Sequence, residues 1–277
     1  MSTRSGPSPA RTGLLLLPPL LWLGVAYLGA LGALFLAAFW TTNEFTGDLV
    51  KVFTLDNFRS LLDQPVYRTI TARTLGVAVL VTLVDAALAL PVAFFMAKVA
   101  RPGLQRLLVI AVLMPLWASY LVKAYAWRGM LSKSGPLEWL GISPGYGLTG
   151  LVITLAYLWL PYMILPVYAG LQKLPGSLLE ASADLGAPAL TTFRRVVLPS
   201  VFPALVAGSI FTFSLTMGDY IAVKIVGGPT QMLGNVVADN YGVANNLPFA
   251  AAYSVVPVLV MLGYLGVVRR TGALENL

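Results

Sequence analysis

The sequence contains no cysteine and no histidine. Without cysteine there is no disulfide frame and no thiolate nucleophile. Without either residue there is no Cys/His metal site. Serine–histidine and cysteine–histidine catalytic pairs are excluded with them. Charge is scarce as well: 10% of the residues are Asp, Glu, Lys or Arg, where soluble domains carry about a quarter. A phosphate-cradling Gly-x-x-x-x-Gly-Lys-Ser/Thr loop is missing, since Lys133-Ser134 follows Ser132 instead of a glycine. No catalytic residues, no metal and no cofactor are expected in this chain. If nucleotide energy is used, another chain must hydrolyse it.

What the chain has in abundance is apolar sequence. Hydrophobic residues make up 58% of it and the mean hydropathy is +0.81, the composition of an integral membrane protein. Residues 1–12 are polar and read as a short N-terminal tail. A first apolar run extends from Gly13 to about Trp40, too long for a signal-peptide core and long enough to span. Five further runs follow, at approximately 70–97, 104–131, 148–171, 196–222 and 249–268. Backbone groups in lipid must be satisfied within the segment, so each run is expected to be a helix. The expected fold is therefore all-α, with six transmembrane helices over residues 13–270 and a C-terminal tail at 271–277. Pro91, Pro115, Pro161 and Pro166 fall inside runs and should kink or open them. Between the first two runs, Thr54–Leu62 predicts a short interfacial helix capped by Thr54 or Asp56.

The net charge of +7 does not mark a nucleic-acid binder, because the basic residues sit singly at the ends of apolar runs. With the N-terminus inside, ten of the 18 Lys and Arg residues fall in cytoplasmic segments and eight outside. The inner ones cluster in short loops, Lys98, Arg101 and Arg106 among them. Both termini are expected in the cytoplasm, with the loop between the fourth and fifth runs on the same side.

That loop holds the most informative stretch, residues 175–190. Pro175-Gly176-Ser177 and Gly186-Ala187-Pro188 are helix start and stop signals, predicting a helix of about two to three turns. Leu178, Ala181, Ser182 and Leu185 fall on one side of it, a shallow face suited to another protein's groove. Glu180 and Asp184, four apart, are a like-charge pair that mildly destabilises an isolated helix. From the residues alone, a ligand for a partner and an ordinary interfacial helix stand as equal readings.

Two acids lie in or beside apolar runs, where acids are costly and tend to be functional or paired. Asp85, midway along the second run, faces the bundle interior or a partner. It is read either as a cation-attracting group on a pathway or as a structural hydrogen-bonding group. Asp219, at the far end of the fifth run beside Tyr220, is read either as an acid at the mouth of a pathway or as one that simply meets water. Aromatic residues gather nearby: Trp117, Tyr120, Tyr125 and Trp127, then Tyr157, Trp159, Tyr162 and Tyr168. They suit interfacial belts, or a cation–π lining for an ammonium ligand. Lys123 and Arg128 would repel such a ligand and should face away from it or pair with acids.

Glu180-Ala181-Ser182, Gly186 and then Val196-x-Leu198-Pro199 resemble, in residue type and spacing, the loop of the membrane subunits of binding-protein-dependent ABC importers. The family pattern is Glu-Ala-Ala, three residues, Gly, nine residues, an aliphatic residue, one residue and Leu-Pro. The departures are Ser182 for the second Ala and Val196 for Ile. In that family the loop is the coupling helix that sits in a cleft of the cytoplasmic ATPase. The resemblance thus assigns coupling to Glu180, Ala181, Ser182, Ala183, Asp184, Leu185 and Gly186.

Further stretches are similar to the spermidine/putrescine permease subfamily. They are Thr54-Leu55-Asp56-Asn57-Phe58, Pro115 through Trp127, Met217-Gly218-Asp219-Tyr220, Gly227-Gly228-Pro229 and Met232-Leu233-Gly234-Asn235. The resemblance implies a type I-like permease subunit that works by alternating access. It implies two ATPase subunits binding ATP and Mg, a second, related permease, and an extracytoplasmic solute-binding protein that docks near Gly227-Gly228-Pro229. Polyamine is the implied cargo. Rival readings are the same machinery with sulfate, molybdate or iron, a self-contained secondary transporter using Asp85, and a scaffold without cargo.

Overall fold

A computed structural model describes residues 9–43 and 46–270. Five helices are long and apolar enough to cross a membrane: Leu16–Ala37, Pro65–Val99, Leu148–Lys173, Ala189–Gly218 and Leu247–Arg269. A bent pair, Pro102–Trp117 and Tyr120–Trp139, makes the sixth if counted as one span. The six apolar runs are therefore all helical, but the third is not the continuous helix expected over 104–131. It turns through 97° at Ala118 and Ser119, both in extended backbone (φ −72°, ψ 141° and φ −54°, ψ 136°). Pro115 lies three residues before the break, and Pro91 lies four before a π-type turn at Phe95–Val99. Proline removes the donor to the carbonyl four residues before it, so its direct effect falls on the preceding turn, and both irregularities lie on the other side of the proline. Pro161 and Pro166, by contrast, lie in a helix that runs unbroken from Leu148 to Lys173.

Two other boundaries differ from expectation. Helix begins at Pro9, so part of the stretch read as a tail is helical; residues 1–8 and the tail at 271–277 lie outside the described residues. The fifth run, expected to reach residue 222, stops at Gly218, and Ile221–Val226 is a separate short helix.

The chain forms two compact units, Met1–Asp63 with Asp239–Val255, and Gln64–Ala238 with Val256–Leu277. In the first, the side chains of the opening span are mostly exposed. A two-residue hairpin follows, Thr41 pairing with Val50 and Thr42 with Leu49. The helix Asp56–Asp63 starts where expected: the Thr54 hydroxyl accepts the Asp56 N–H at 3.1 Å. Asn57 donates to the carbonyls of Ala38 and Trp40 at 2.9 and 2.8 Å, which fixes this helix against the end of the span.

The second unit is built on spans two, four and five, which pack on one another. Along span two, Ala78, Val81, Asp85, Ala89 and Ala93 recur at three- and four-residue spacing and all are fully buried. Small residues on such a seam let helices in lipid approach closely. One apolar cluster joins Val77 and Val81 to Leu151, Leu155 and Trp159. Another, towards the opposite end of the same helices, joins Ala89, Ala93 and Met96 to Met163, Val167, Leu171 and Val197. Hydroxyls inside the helices bond back to the preceding turn, as Thr74 does to Ile70 and Thr154 to Gly150, both at 2.8 Å. Neither of these two is left a loose donor, whereas the buried Thr216 hydroxyl of span five has no partner.

Candidate functional site

Two regions of the second unit carry the sequence-predicted residues. The first is the loop after span four. A helix runs Gly176–Asp184, and Gly186 follows with φ +72°. That left-handed residue is the helix stop that glycine adopts without a steric penalty. The N–H of Gly186 donates to Ala183 and that of Ala187 to Ser182, at 2.8 and 3.1 Å. A second short helix, Ala189–Thr192, leads through a π-type turn at Phe193–Val197 into span five.

Glu180, Ala181, Ala183, Asp184 and Gly186 are exposed; Leu178 is 47% and Leu185 87% exposed. Ser182 departs from the expected face. It is half-buried, and its hydroxyl hydrogen-bonds that of Thr192 at 2.7 Å. The inward side is carried by Leu179, which packs on the cluster containing Leu174 and Val197. The helix thus rests on its own chain through Leu179 and Ser182 and presents Leu178, Ala181 and Leu185 outward.

The second region is the junction at the end of span five. Asp219 is 7% exposed. One of its carboxylate oxygens accepts the Tyr120 hydroxyl, and the other accepts the Ala222 N–H at 2.9 Å. The Asp219 side chain thereby satisfies an N–H in the first turn of Ile221–Val226 and ties that helix to Tyr120, the first residue of the second half of the broken third span. Asn235, buried, donates to the Tyr220 carbonyl at 3.0 Å and accepts the Met232 N–H at 3.3 Å. Leu233 N–H donates to Thr74 of span two at 2.9 Å. A Cβ on Gly234 would lie 2.9 Å from the carbonyl oxygens of Gly218 and Asp219, so only glycine lets these segments meet. Met232-Leu233-Gly234-Asn235 is therefore a clasp around the Asp219 turn.

Beside it lies a cleft of about 320 Å³ lined by Tyr120, Trp159, Leu215, Asp219, Tyr220 and neighbouring backbone. The rings of Tyr120 and Trp159 stack at 5.8 Å, and Trp159 meets Tyr162 at 6.0 Å. Of the residues expected on a pathway, Tyr120, Asp219 and Tyr220 are thus brought together. Trp117 and Tyr125 are not: they are 86% and 58% exposed. Trp127 packs against Tyr157 at 5.4 Å. Arg128 lies over the Tyr146 ring at 5.9 Å, turned to an aromatic partner instead of an acid. Gly227 is buried, Gly228 and Pro229 are exposed, and Gly228 has φ +57°. Asp85 is fully buried, and neither carboxylate oxygen has a hydrogen-bond partner. The hydrogen bond that the structural one of its two readings requires is absent among the described residues.

Sequence reasoning missed Asn235 and Thr74 as the clasp's fasteners. It also missed Lys98, whose Nζ donates to the Leu174 carbonyl at 2.6 Å, at the foot of the Gly176–Asp184 helix. A lone lysine after an apolar run looks like an ordinary topology charge; only the fold brings its partner, 76 residues away, within reach.

Comparison with known proteins agrees with this architecture. The chain is 44% identical over 284 residues to the inner membrane ABC transporter permease protein YdcU of Escherichia coli, covering 95% of this chain and 90% of that one. It is 33% identical over 245 residues to the spermidine/putrescine transport system permease protein PotB of the same organism, with 85% and 88% covered. Among solved structures, a bacterial alginate ABC transporter in complex with an alginate pentasaccharide-bound periplasmic protein contains a chain that superposes with a TM-score of 0.75. That match has 16% identity and covers 95% of this chain and 94% of that one, a likeness of fold. Residues 70–270 match the binding-protein-dependent transport system inner membrane component family. The chain belongs to that family: it is a multi-pass inner membrane permease subunit of the ABC importer type.

Proposed function

We propose that this permease imports polyamines, driven by two separate ATPase subunits that bind ATP and Mg. It works with a second, related permease and an extracytoplasmic binding protein. Both termini lie in the cytoplasm. Gly176–Asp184 is the coupling helix, seated in a cleft of one ATPase through Leu178, Ala181 and Leu185, with Glu180 and Asp184 beside them. Closure of the ATPase pair pushes on this helix, tilts spans four and five and opens the path outward; hydrolysis resets it. The observation that carries this reading is the helix itself: short, ended by a left-handed glycine, braced inward by Leu179 and Ser182, and bare outward.

The polyamine cargo is supported by the 33% identity to PotB and by the cleft at Asp219. A carboxylate flanked by Tyr120, Trp159 and Tyr220 suits a primary ammonium, which gains from both the charge and the aromatic faces. The binding protein docks over the exposed Gly228-Pro229 turn.

Two experiments test the reading in the assembled complex. Gly186→Val and Glu180→Lys should leave the chain inserted, yet lower both uptake and cargo-stimulated ATP hydrolysis by about tenfold or more, since a β-branched residue is strained at positive φ. Uptake at control rates would refute the coupling role. For the cargo, excess spermidine should compete with labelled putrescine whereas sulfate and molybdate should not; the opposite pattern assigns an oxyanion.

A further inference from the structure

We infer that Lys98 is a positioning residue that carries the movement of the coupling helix into span two, a role that rests on the coupling reading above. The coupling helix is covalently continuous with spans four and five only. Span two, which holds the buried seam from Ala78 to Ala93, meets them through apolar packing, which is non-directional. Lys98 adds a directed polar tie at the corner itself. Its Nζ donates to the Leu174 carbonyl at 2.6 Å, and Leu174 is the residue at which span four ends and the loop begins.

Three features make this contact a lever instead of a surface ion's resting place. Leu174 precedes Pro175, and a residue before proline is confined to extended backbone; its φ of −70° and ψ of 118° conform. The carbonyl that Lys98 grips therefore points in a fixed direction, set by the same proline that starts the coupling helix. The Leu174 side chain, 6% exposed, is held in the apolar cluster with Met96, Leu171 and Val197. The corner therefore moves as a piece. Finally, Lys98 stands on the π-type turn Phe95–Val99, and the far end of the loop passes through the π-type turn Phe193–Val197. Such turns depart from the regular helical ladder and recur at functional sites. One ends span two and the other closes the loop, and the lysine bond joins the first of them to the corner. The ammonium also meets a helix C-terminus, where carbonyls lack intrahelical donors and positive charge is favoured.

The test compares Lys98→Ala and Lys98→Arg in the assembled importer in vesicles, with spermidine as the probe. The readouts are uptake and ATP hydrolysed per spermidine imported. Lys98→Ala should cut uptake by about tenfold while ATP hydrolysis persists, so that the ratio rises by a similar factor, the scale of losing one charge-assisted hydrogen bond. Lys98→Arg keeps a donor and should restore about half or more of the uptake.

A second measurement uses the absence of native cysteine. Spin labels at Val99→Cys and Ser177→Cys should keep one separation on ATP binding in the parent chain and spread over a broader range when Lys98 is alanine. An unchanged ratio for Lys98→Ala, or a proportional fall of uptake and hydrolysis together, would overturn the relay. If Gly186→Val also imports normally, the coupling reading itself fails; if only Lys98→Ala does, the relay alone fails.

Discussion

The two ends of spans four and five are built on opposite plans. At the Asp219 end the polar side chains of the turn itself are engaged, while the buried Thr216 hydroxyl and Trp159 Nε1 beside it have no hydrogen-bond partner. The carboxylate accepts a helix N–H and a tyrosine hydroxyl, Asn235 and Thr74 close the turn, and Gly234 lets the segments touch. At the coupling-helix end a 9-residue helix keeps two inward attachments, Leu179 and Ser182, and leaves Leu178, Ala181 and Ala183 bare. A segment with so few buried contacts is inexpensive to move. A junction with so many is not, because each severed bond strands a buried polar group. One end is made to hold its shape and the other to be completed by a partner.

The largest effect should come from breaking the rigid end. Asp219→Ala strands the Tyr120 hydroxyl and the Ala222 N–H together and should destabilise the detergent-purified protein by about 3 kcal/mol; thermal unfolding reads it. Asp85→Val goes the other way. It replaces a buried carboxyl that has no hydrogen-bond partner with an apolar side chain of similar size. It should raise stability by about 1–2 kcal/mol in the same assay. A fall in stability would mean that Asp85 has a partner in the folded protein. Ser182→Ala removes one half-buried hydrogen bond to Thr192 and should cost about 1 kcal/mol. The smallest effect on the isolated chain is expected for Leu185→Asp, within about 0.5 kcal/mol because the residue is exposed. That variant should nonetheless fail to retain the ATPase on co-purification. Equal retention of the ATPase by Leu185→Asp and parent would remove the contrast between the two ends.

Much of the movable end was legible because its signals are local. Pro175-Gly176-Ser177 and Gly186-Ala187-Pro188 bracket the helix that forms, and Thr54 caps the helix it was expected to cap. The inward facing of Asp85 was legible too, from the cost of an acid in lipid, and the residue is fully buried. The rigid end was not legible, because its logic is tertiary. Hydropathy is blind to backbone conformation, so the run 196–222 hides the stop at Gly218, and the run 104–131 hides the turn at Ala118 and Ser119. Asp219 could be placed near a boundary, but the tyrosine hydroxyl it receives comes from Tyr120, 99 positions away. Likewise, nothing local to Asp85 shows that its neighbours offer no donor, and nothing local to Lys98 reveals Leu174.

Because the chain has no native cysteine, a single Leu185→Cys substitution gives the most direct measurement. A membrane-impermeant maleimide should label this position from the cytoplasmic side of inverted membrane vesicles containing the permeases alone. Adding the ATPase subunits should block the labelling. Labelling only from the outer face, or labelling at the same rate with and without the ATPase, would contradict the assignment of Gly176–Asp184 as the seat of the motor.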